Sequence, residues 1–330
     1  MVNKLMSVGI AGTGFYVPKK VITNSDLEKM INTTAEWIRV RTGVKQRRIA
    51  DDHEATSDLA VKAARKALED ARISPLEIDL IIVATLSPDY LFPSTACLVQ
   101  NKLGIRDAWA FDIEAACAGF IYALSVAEAF INSGTRKTAI VIGAEVFSRI
   151  VDWNDRNTCI LMGDGAGAVV LREVENGKGI LSTHLGADGS GADLLKQPAC
   201  GSRLPAAEET VRQRLHYFKM EGNEVFKIAV RIMSKSVITA LRKAGLSNKE
   251  INLIIPHQAN TRILKAMAKK LFLPMEKVMV NIDKYGNTSA ASVPIALAEA
   301  VKTGRIKEGD IVVLVAFGAG LTWGSSVIRY

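Results

Sequence analysis

Hydrophobic and polar positions in residues 67–82 (ALEDARISPLEIDLII) follow a helical period, break at a short turn, and end in an Ile- and Leu-rich run without alternation. An unbroken apolar run of that length predicts a strand covered on both faces, because a half-exposed strand would alternate. The same order returns without a gap at residues 240–255 (ALRKAGLSNKEINLII), a displacement of 173 positions. That displacement also carries 138–142 (TAIVI) onto 311–315 (IVVLV), a second pair of buried strands. A repeat of this extent predicts an internal duplication: two α/β halves, each a helix-covered, mostly parallel or mixed sheet, packed about a pseudo-twofold axis. The expected boundary is the Glu175-Asn-Gly-Lys-Gly179 turn, after a strand at 166–172, giving residues 1–175 and 176–330. Residues 186–219, with scattered Gly, Pro and charge, read as an irregular insertion and a candidate entrance flap.

Composition narrows the class. With 330 residues, 48% hydrophobic and 23% charged, the chain is an ordinary globular one, long enough for two cores. Apolar stretches such as 311–317 fall well short of the roughly 20 residues a membrane-spanning helix needs. The opening Met-Val-Asn-Lys-Leu-Met-Ser lacks the pattern of an export signal, so a cytoplasmic location is expected. Four cysteines and four histidines are scattered, which points to neither a disulfide framework nor a zinc site. A net charge of +8 favours an anionic partner. Aromatics at 6% with no groove-reading motif argue against nucleic acid, and no basic amphipathic segment with bulky aromatics argues for a membrane surface. A phosphate-rich small molecule or an acidic protein remains.

The candidate chemistry lies in loops that the repeat makes equivalent. The displacement maps Ala84 onto His257 and Glu114 onto Asn287, three residues before Cys117; in open α/β sheets such loops, beyond the carboxyl ends of strands, hold ligands. Cys117 precedes an apolar helix expected to run to about Asn132, and a helix start favours thiolate, so a lowered thiol pKa is expected. His257 follows a strand expected at 251–255 and closed by Pro256, and Asn287 lies at another loop-to-helix junction. Taken singly, each has a structural reading: a small buried thiol, a hydrogen-bonded imidazole, a helix cap. Gly12-Thr-Gly14 and Gly163-Asp-Gly-Ala-Gly167 do not open helices as dinucleotide-binding loops do, so no redox cofactor is implied. Beyond Asn260, the positions of Arg262, Lys265, Lys269 and Lys270 put four cations on one helix face, while Ile263, Leu264, Met267 and Leu271 fall elsewhere.

Three segments, Glu114-Ala-Ala-Cys-Ala-Gly-Phe120, Pro256-His-Gln-Ala-Asn260 and Tyr285-Gly-Asn-Thr-Ser-Ala-Ala-Ser292, resemble in order the Cys, His and Asn motifs of the β-ketoacyl-(acyl-carrier-protein) synthase III family. Further similar segments are Thr34-Ala-Glu-Trp-Ile-Arg-Val-Arg-Thr-Gly43, Phe92-Pro-Ser94, Met162-Gly-Asp-Gly-Ala-Gly-Ala168, Gly222-Asn-Glu-Val-Phe-Lys227 and Phe317-Gly-Ala-Gly-Leu-Thr-Trp-Gly324, so the likeness spans nearly the whole chain. The resemblance implies a thiolase-like five-layer α-β-α-β-α fold and a homodimer. It implies that Cys117 takes a short acyl group from acyl-CoA, with acetyl the expected primer, and that malonyl-acyl carrier protein then loses CO2 and attacks it. His257 and Asn287 would donate to the enolate, and the backbone N–H groups of Cys117 and Ala319 to the tetrahedral oxyanion. Ala319 stands where the family commonly has glycine, so its fit requires φ below zero. By the same resemblance Trp37, Arg41 and Arg156 bind the nucleotide of CoA, Phe226 and Asn260 line the pantetheine channel, Phe92 shapes the acyl pocket across the dimer, and the basic helix face docks the carrier protein. No cofactor beyond the thioester substrates and no metal is implied. The alternatives are a polyketide starter or hydroxymethylglutaryl-CoA type condensing enzyme, a Cys-His-Asn thioester hydrolase, and an inactive carrier-binding module.

Overall fold

Runs of helix formers and β-branched residues alternate along the chain, and the structure, a computed structural model describing residues 6–330, turns them into two matching halves. Residues 1–5, the first part of the segment on which the expected lack of an export signal rests, fall outside the described ones. The first half runs β1 (Val8–Tyr16), β2 (Lys20–Thr23), α1 (Asn24–Glu28), α2 (Ala35–Thr42), β3 (Gln46–Ile49), α3 (Thr56–Ala71), β4 (Leu80–Ala84), α4 (Thr95–Leu103), β5 (Trp109–Ile113), α5 (Gly119–Asn132), β6 (Thr138–Glu145), α6 (Arg156–Cys159) and β7 (Gly165–Glu173). The second runs β8 (Gly179–Ala187), β9 (Leu195–Lys196), α7 (Glu208–Arg212), β10 (Lys219–Met220), α8 (Gly222–Lys243), β11 (Leu253–Pro256), α9 (Thr261–Lys270), α10 (Ile282–Tyr285), α11 (Ser292–Lys302), β12 (Ile311–Gly318) and β13 (Thr322–Arg329).

Each half builds one mixed sheet. The first has the order β1-β7-β6-β4-β5 and the second β8-β13-β12-β11, antiparallel along β1-β7-β6 and β8-β13-β12 and parallel where β4 or β11 joins. The displacement of 173 carries β4 onto β11, β6 onto β12, and the first residue of α5 onto the first of α11. It extends to backbone strain: Ala116 (φ 47) and Ser289 (φ 48), neither a glycine, occupy equivalent left-handed positions.

Three hydrophobic clusters define the layers. Leu59, Ala63 and Ala67 of α3 pack with Ile81, Ile140 and Val170 on the outer face of the first sheet. Phe120, Ile121 and Leu124 of α5, with Val293 and Leu297 of α11, fill the space between Ile82, Val141 and Val169 of one sheet and Ile255, Val312 and Leu314 of the other. Met233 and Val237 of α8 and Met267 of α9 cover Ile254, Val313 and Val315 on the far side. The order is α-β-α-β-α, and strands β4, β6, β11 and β12 read as unbroken apolar runs because helices cover both of their faces. The central layer is tight: a Cβ on Gly143 would lie 2.3 Å from the carbonyl oxygen of Ala290, so β6 meets the turn before α11 at a distance only glycine permits.

Two expectations change in detail. The strand placed at 251–255 begins at Leu253 and takes in Pro256, paired with Val315; the ladder there runs through the His257 N–H, which donates to the Val315 carbonyl at 2.7 Å, so the N–H missing at proline costs no bond to β12. The 186–219 stretch is not wholly irregular, since β9 and β10 pair into a short ribbon and α7 adds a helical turn. Among the described residues no helix is long and apolar enough to cross a membrane.

Candidate active site

Cys117 lies in a one-turn 3-10 segment, Ala116–Ala118, that joins β5 to α5. Small residues are obligatory there. A Cβ on Gly318, at the end of β12, would sit 2.5 Å from the Cys117 nitrogen, and the Thr322 hydroxyl reaches the carbonyls of both Ala115 (2.8 Å) and Ala319 (2.9 Å). The cysteine turn is thereby clamped to the turn after β12. Positive φ in that second turn falls on Gly320 (122°) and not on Ala319, so the alanine meets its condition without strain.

Asn287 is held through its backbone by residues 161 and 163: its N–H donates to the Leu161 carbonyl (2.8 Å) and its own carbonyl accepts from Gly163 N–H (3.0 Å). Its side-chain Oδ1 accepts from Ser289 N–H at 2.8 Å, which is the capping role foreseen as the structural alternative. The two roles are compatible, because fixing Oδ1 in the cap leaves Nδ2 as the free donor of the amide; among the described residues it has no partner. Ser289 Oγ in turn lies 3.3 Å from Cys117 Sγ. His257 Nδ1 lies 2.6 Å from Ser292 Oγ, the first residue of α11. The next residue braces this loop: Gln258 Nε2 donates to the carbonyls of Pro256 and Met279, and its Oε1 accepts from the N–H groups of Asn281 and Ile282. Cys117 and Asn287 thus meet through Ser289, and His257 joins the same turn three residues on.

Burial sets the electrostatics. Loss of hydration pushes the Cys117 thiol up to about 12, helped by the carboxyls of Glu145 and Glu114 and opposed by the Ser289 hydrogen bond. This is the reverse of the expected lowering. A helix N-terminus supplies about 0.3–2 kcal/mol, of the order of one pKa unit, whereas full burial moves a group by up to several. Burial pulls His257 down to about 4, so its imidazole is neutral at neutral pH. Glu145, fully buried at the end of β6, accepts from Thr85 Oγ1, Leu86 N–H, Ser87 N–H and Ser87 Oγ, and burial still raises it to about 7. Ser289, Ser292 and Glu145 were not singled out from the sequence. A carboxylate closing the apolar run 138–145 was the one available signal for Glu145.

Trp37, Arg41, Arg156, Asn260, Arg262 and Phe226 are linked by one series of contacts. The guanidinium groups of Arg41 and Arg156 lie 4.9 Å and 4.7 Å from the centre of the Trp37 ring. Asn260 caps α9 by accepting from Arg262 N–H (2.8 Å) and donates through Nδ2 to the carbonyl of Arg41 (3.1 Å), and Arg262 lies 5.3 Å from the Phe226 ring. Arg262, Lys265, Lys269 and Lys270 are exposed while Ile263, Leu264, Met267 and Leu271 are buried, as the spacing predicts. A cleft of about 1010 Å³, lined among others by Leu86, Tyr90, Leu91, Glu114, Val146 and Ile150, opens alongside. Phe92 does not line that cleft; it is 85% exposed.

A duplicated five-layer fold with a buried cysteine at the start of a central helix defines a class, the thiolase-like condensing acyltransferases. The comparisons narrow it. Family models described as 3-oxoacyl-[acyl-carrier-protein (ACP)] synthase III and its C-terminal part match residues 111–189 and 241–330. The β-ketoacyl-[acyl-carrier-protein] synthase III of Caldanaerobacter subterraneus subsp. tengcongensis is 57% identical over 98% of both chains. The solved structure of the Aquifex aeolicus enzyme, 53% identical, superposes with a TM-score of 0.92 over 98% of this chain and 100% of that one. A priming β-ketosynthase of the R1128 polyketide pathway is 33% identical with a TM-score of 0.92 over 99% of this chain and 97% of that one. The chain belongs to the β-ketoacyl-(acyl-carrier-protein) synthase III family, condensing acyltransferases that initiate fatty-acid synthesis.

Proposed function

We propose that Cys117, His257 and Asn287 carry the family's reaction here, with acetyl-CoA as primer and malonyl-acyl carrier protein as extender. Cys117 sulfur attacks the thioester carbonyl, the S–C bond to CoA breaks, and the thiol proton leaves with CoA. The resting thiol is protonated and gives up its proton as the new S–C bond forms, that proton passing to the departing CoA sulfur, while neutral His257 keeps its Nε2–H as a donor. Malonyl-acyl carrier protein then binds, its C–C bond to CO2 breaks, and negative charge grows on the thioester oxygen. Two N–H donors meet that charge: Asn287 Nδ2, left free by the cap at Oδ1, and His257 Nε2–H, the tautomer present when the Ser292 hydroxyl donates to Nδ1. The enolate carbon attacks the acyl-cysteine, and its tetrahedral oxyanion is held by the backbone N–H groups of Cys117 and Ala319 before Cys117 leaves as thiolate. The observation that carries this reading is the single turn, 287–292, which contacts the thiol, orders the amide and bonds the imidazole.

For the substrates, we assign Trp37, Arg41 and Arg156 to the nucleotide of CoA, the aromatic face for the base and two planar guanidinium groups for phosphates. Phe226 and Asn260 line the pantetheine path between that platform and the turn, and the basic face of α9 docks the acidic carrier protein. The open edge of β5 and the exposed Tyr90, Leu91 and Phe92 support a homodimer in which Phe92 reaches the partner's acyl pocket. Residues 1–175 and 176–330 are the units of duplication. The reaction uses no cofactor beyond its thioester substrates, and we place it in the cytoplasm.

Intact-protein mass spectrometry across a panel of acyl-CoA primers tests the assignment. The expected result is one acetyl adduct on the peptide containing Cys117, absent in Cys117→Ala, and its conversion to a β-ketoacyl carrier protein when malonyl carrier protein is added. Release of free acid instead makes the chain a hydrolase, and an adduct elsewhere removes Cys117 from the mechanism.

A further inference from the structure

Arg47, in β3, is the bulkiest of the fully buried side chains, with 0% of its surface exposed. Among the described residues no carboxylate lies within ion-pair distance of it. Burial pulls its pKa down to about 10, so it remains a cation at neutral pH. An unpaired buried charge is costly, and its rigid two-pronged donor is the feature that a neutral side chain of the same size would lack. One prong, Nη1, donates to the Ile22 carbonyl (3.1 Å) and to Asn24 Oδ1 (3.0 Å); the other, Nη2, donates to the same Asn24 oxygen (3.0 Å) and to the Ile160 carbonyl (2.8 Å).

Each end of this bridge leads to a different part of the proposed site. Asn24, itself buried, donates through Nδ2 to the carbonyls of Val44 (2.7 Å) and Ala35 (3.4 Å), and Ala35 is the first residue of α2, which carries Trp37 and Arg41. Ile160 follows α6, whose first residue is Arg156, and immediately precedes the 161–163 segment bonded to both backbone groups of Asn287. The Arg47 stem closes the gap: a Cβ on Gly163 would come within 3.2 Å of Arg47 Cβ, and one on Gly286 within 3.3 Å. Gly163 stands directly after Met162, which is bridged to Asn287, and Gly286 directly before Asn287.

We propose that Arg47 is a positioning residue of the condensing site, holding the 161–163 segment that aligns Asn287 in register with the Trp37 platform that takes the nucleotide of acyl-CoA. The proposal rests on the functional reading above. Its physical reason is that the nucleotide anchors one end of a pantetheine arm of fixed length and the thioester reacts at the other, so platform and reacting turn must keep a fixed separation, and misplacement by about 1 Å can cost a factor of the order of 100 in rate.

The test separates the two ends. In Arg47→Lys a single ammonium cannot span the Asn24 and Ile160 acceptors. We expect KM for acetyl-CoA to rise about tenfold and the malonyl-carrier-protein decarboxylation rate of the acetylated protein to fall at least tenfold. Acetylation of Cys117 by acetyl-N-acetylcysteamine, which has no nucleotide, should stay within twofold of the parent. Asn24→Asp keeps an acceptor for Arg47 but loses the Nδ2 donors to α2, and should raise KM for acetyl-CoA while decarboxylation stays within twofold. This second variant carries the test where the lysine variant does not fold. A folded Arg47→Lys with both parameters within twofold overturns the proposal, as does an equal loss in all three reactions, the mark of general damage. Loss of decarboxylation in Asn24→Asp also overturns it. A parent protein that acetyl-CoA never acetylates sinks the functional reading itself, and this proposal with it.

Discussion

At Cys117 two local effects oppose each other, the positive end of α5 favouring thiolate and full burial favouring thiol, and burial is the larger. On the proposed mechanism Cys117 therefore rests as a protonated thiol that ionises only as the thioester arrives, its proton passing to the departing CoA sulfur. A thiol with its pKa near 12 gains thiolate about tenfold per pH unit well below that value. Alkylation of the Cys117 peptide by iodoacetamide, followed by peptide mass spectrometry, should rise log-linearly from pH 7 to pH 10. The exposed Cys97 and the half-buried Cys200 provide internal references. A plateau for Cys117 below pH 9 would mean that the helix start, and not burial, governs its acidity.

The helix α9 does three things with ten residues. Its apolar side fills the outer core through Ile263, Met267 and Ala268, its cap Asn260 ties it to α2, and its outer side shows four cations to solvent. Amphipathic spacing accounts for the first and third; the tie to α2 depends on Thr261 lying so close to Gly43 that a Cβ there would be 1.7 Å from its hydroxyl. On the proposed docking role, the cations capture a charged partner and take no part in the chemistry. Lys265→Glu with Lys269→Glu should raise KM for malonyl-acyl carrier protein about tenfold and leave acetyl-CoA loading unchanged, and added salt should weaken the parent in the same way. Steady-state kinetics with both substrates checks this. A change below twofold would leave the face an ordinary solvated one.

For the molecule as a whole, the first sheet ends in an unpaired β5 while three large apolar residues, Tyr90, Leu91 and Phe92, stand 61%, 86% and 85% exposed in the loop after β4. An open edge next to an apolar loop is the kind of surface that stays soluble by pairing with a second copy. Sedimentation velocity should find twice the mass of one chain, and Leu91→Asp with Phe92→Asp should shift the protein to single chains. A parent that sediments as single chains removes Phe92 from the acyl pocket.

The duplication and the layer order were legible because strands covered on both faces must be apolar throughout, and that constraint leaves the same run at 80–84 and 253–256, and again at 138–145 and 311–318. Cys117, His257 and Asn287 were legible as candidates because each stands in a short run of small or capping residues at equivalent loops. Other properties had no local signature. The direction of the Cys117 shift depends on how completely β12 and the turn before α11 cover the cysteine, and the partners Ser289 and Ser292 become visible only when chain segments 172 and 35 residues apart are brought together. Arg47 reads in the sequence as one more surface cation between Gln46 and Arg48. Periodicity thus determined which residues face a core, since that is a property of neighbours along the chain; which charges lose water and which donors meet was decided by tertiary packing, since desolvation and hydrogen bonding depend on neighbours in space.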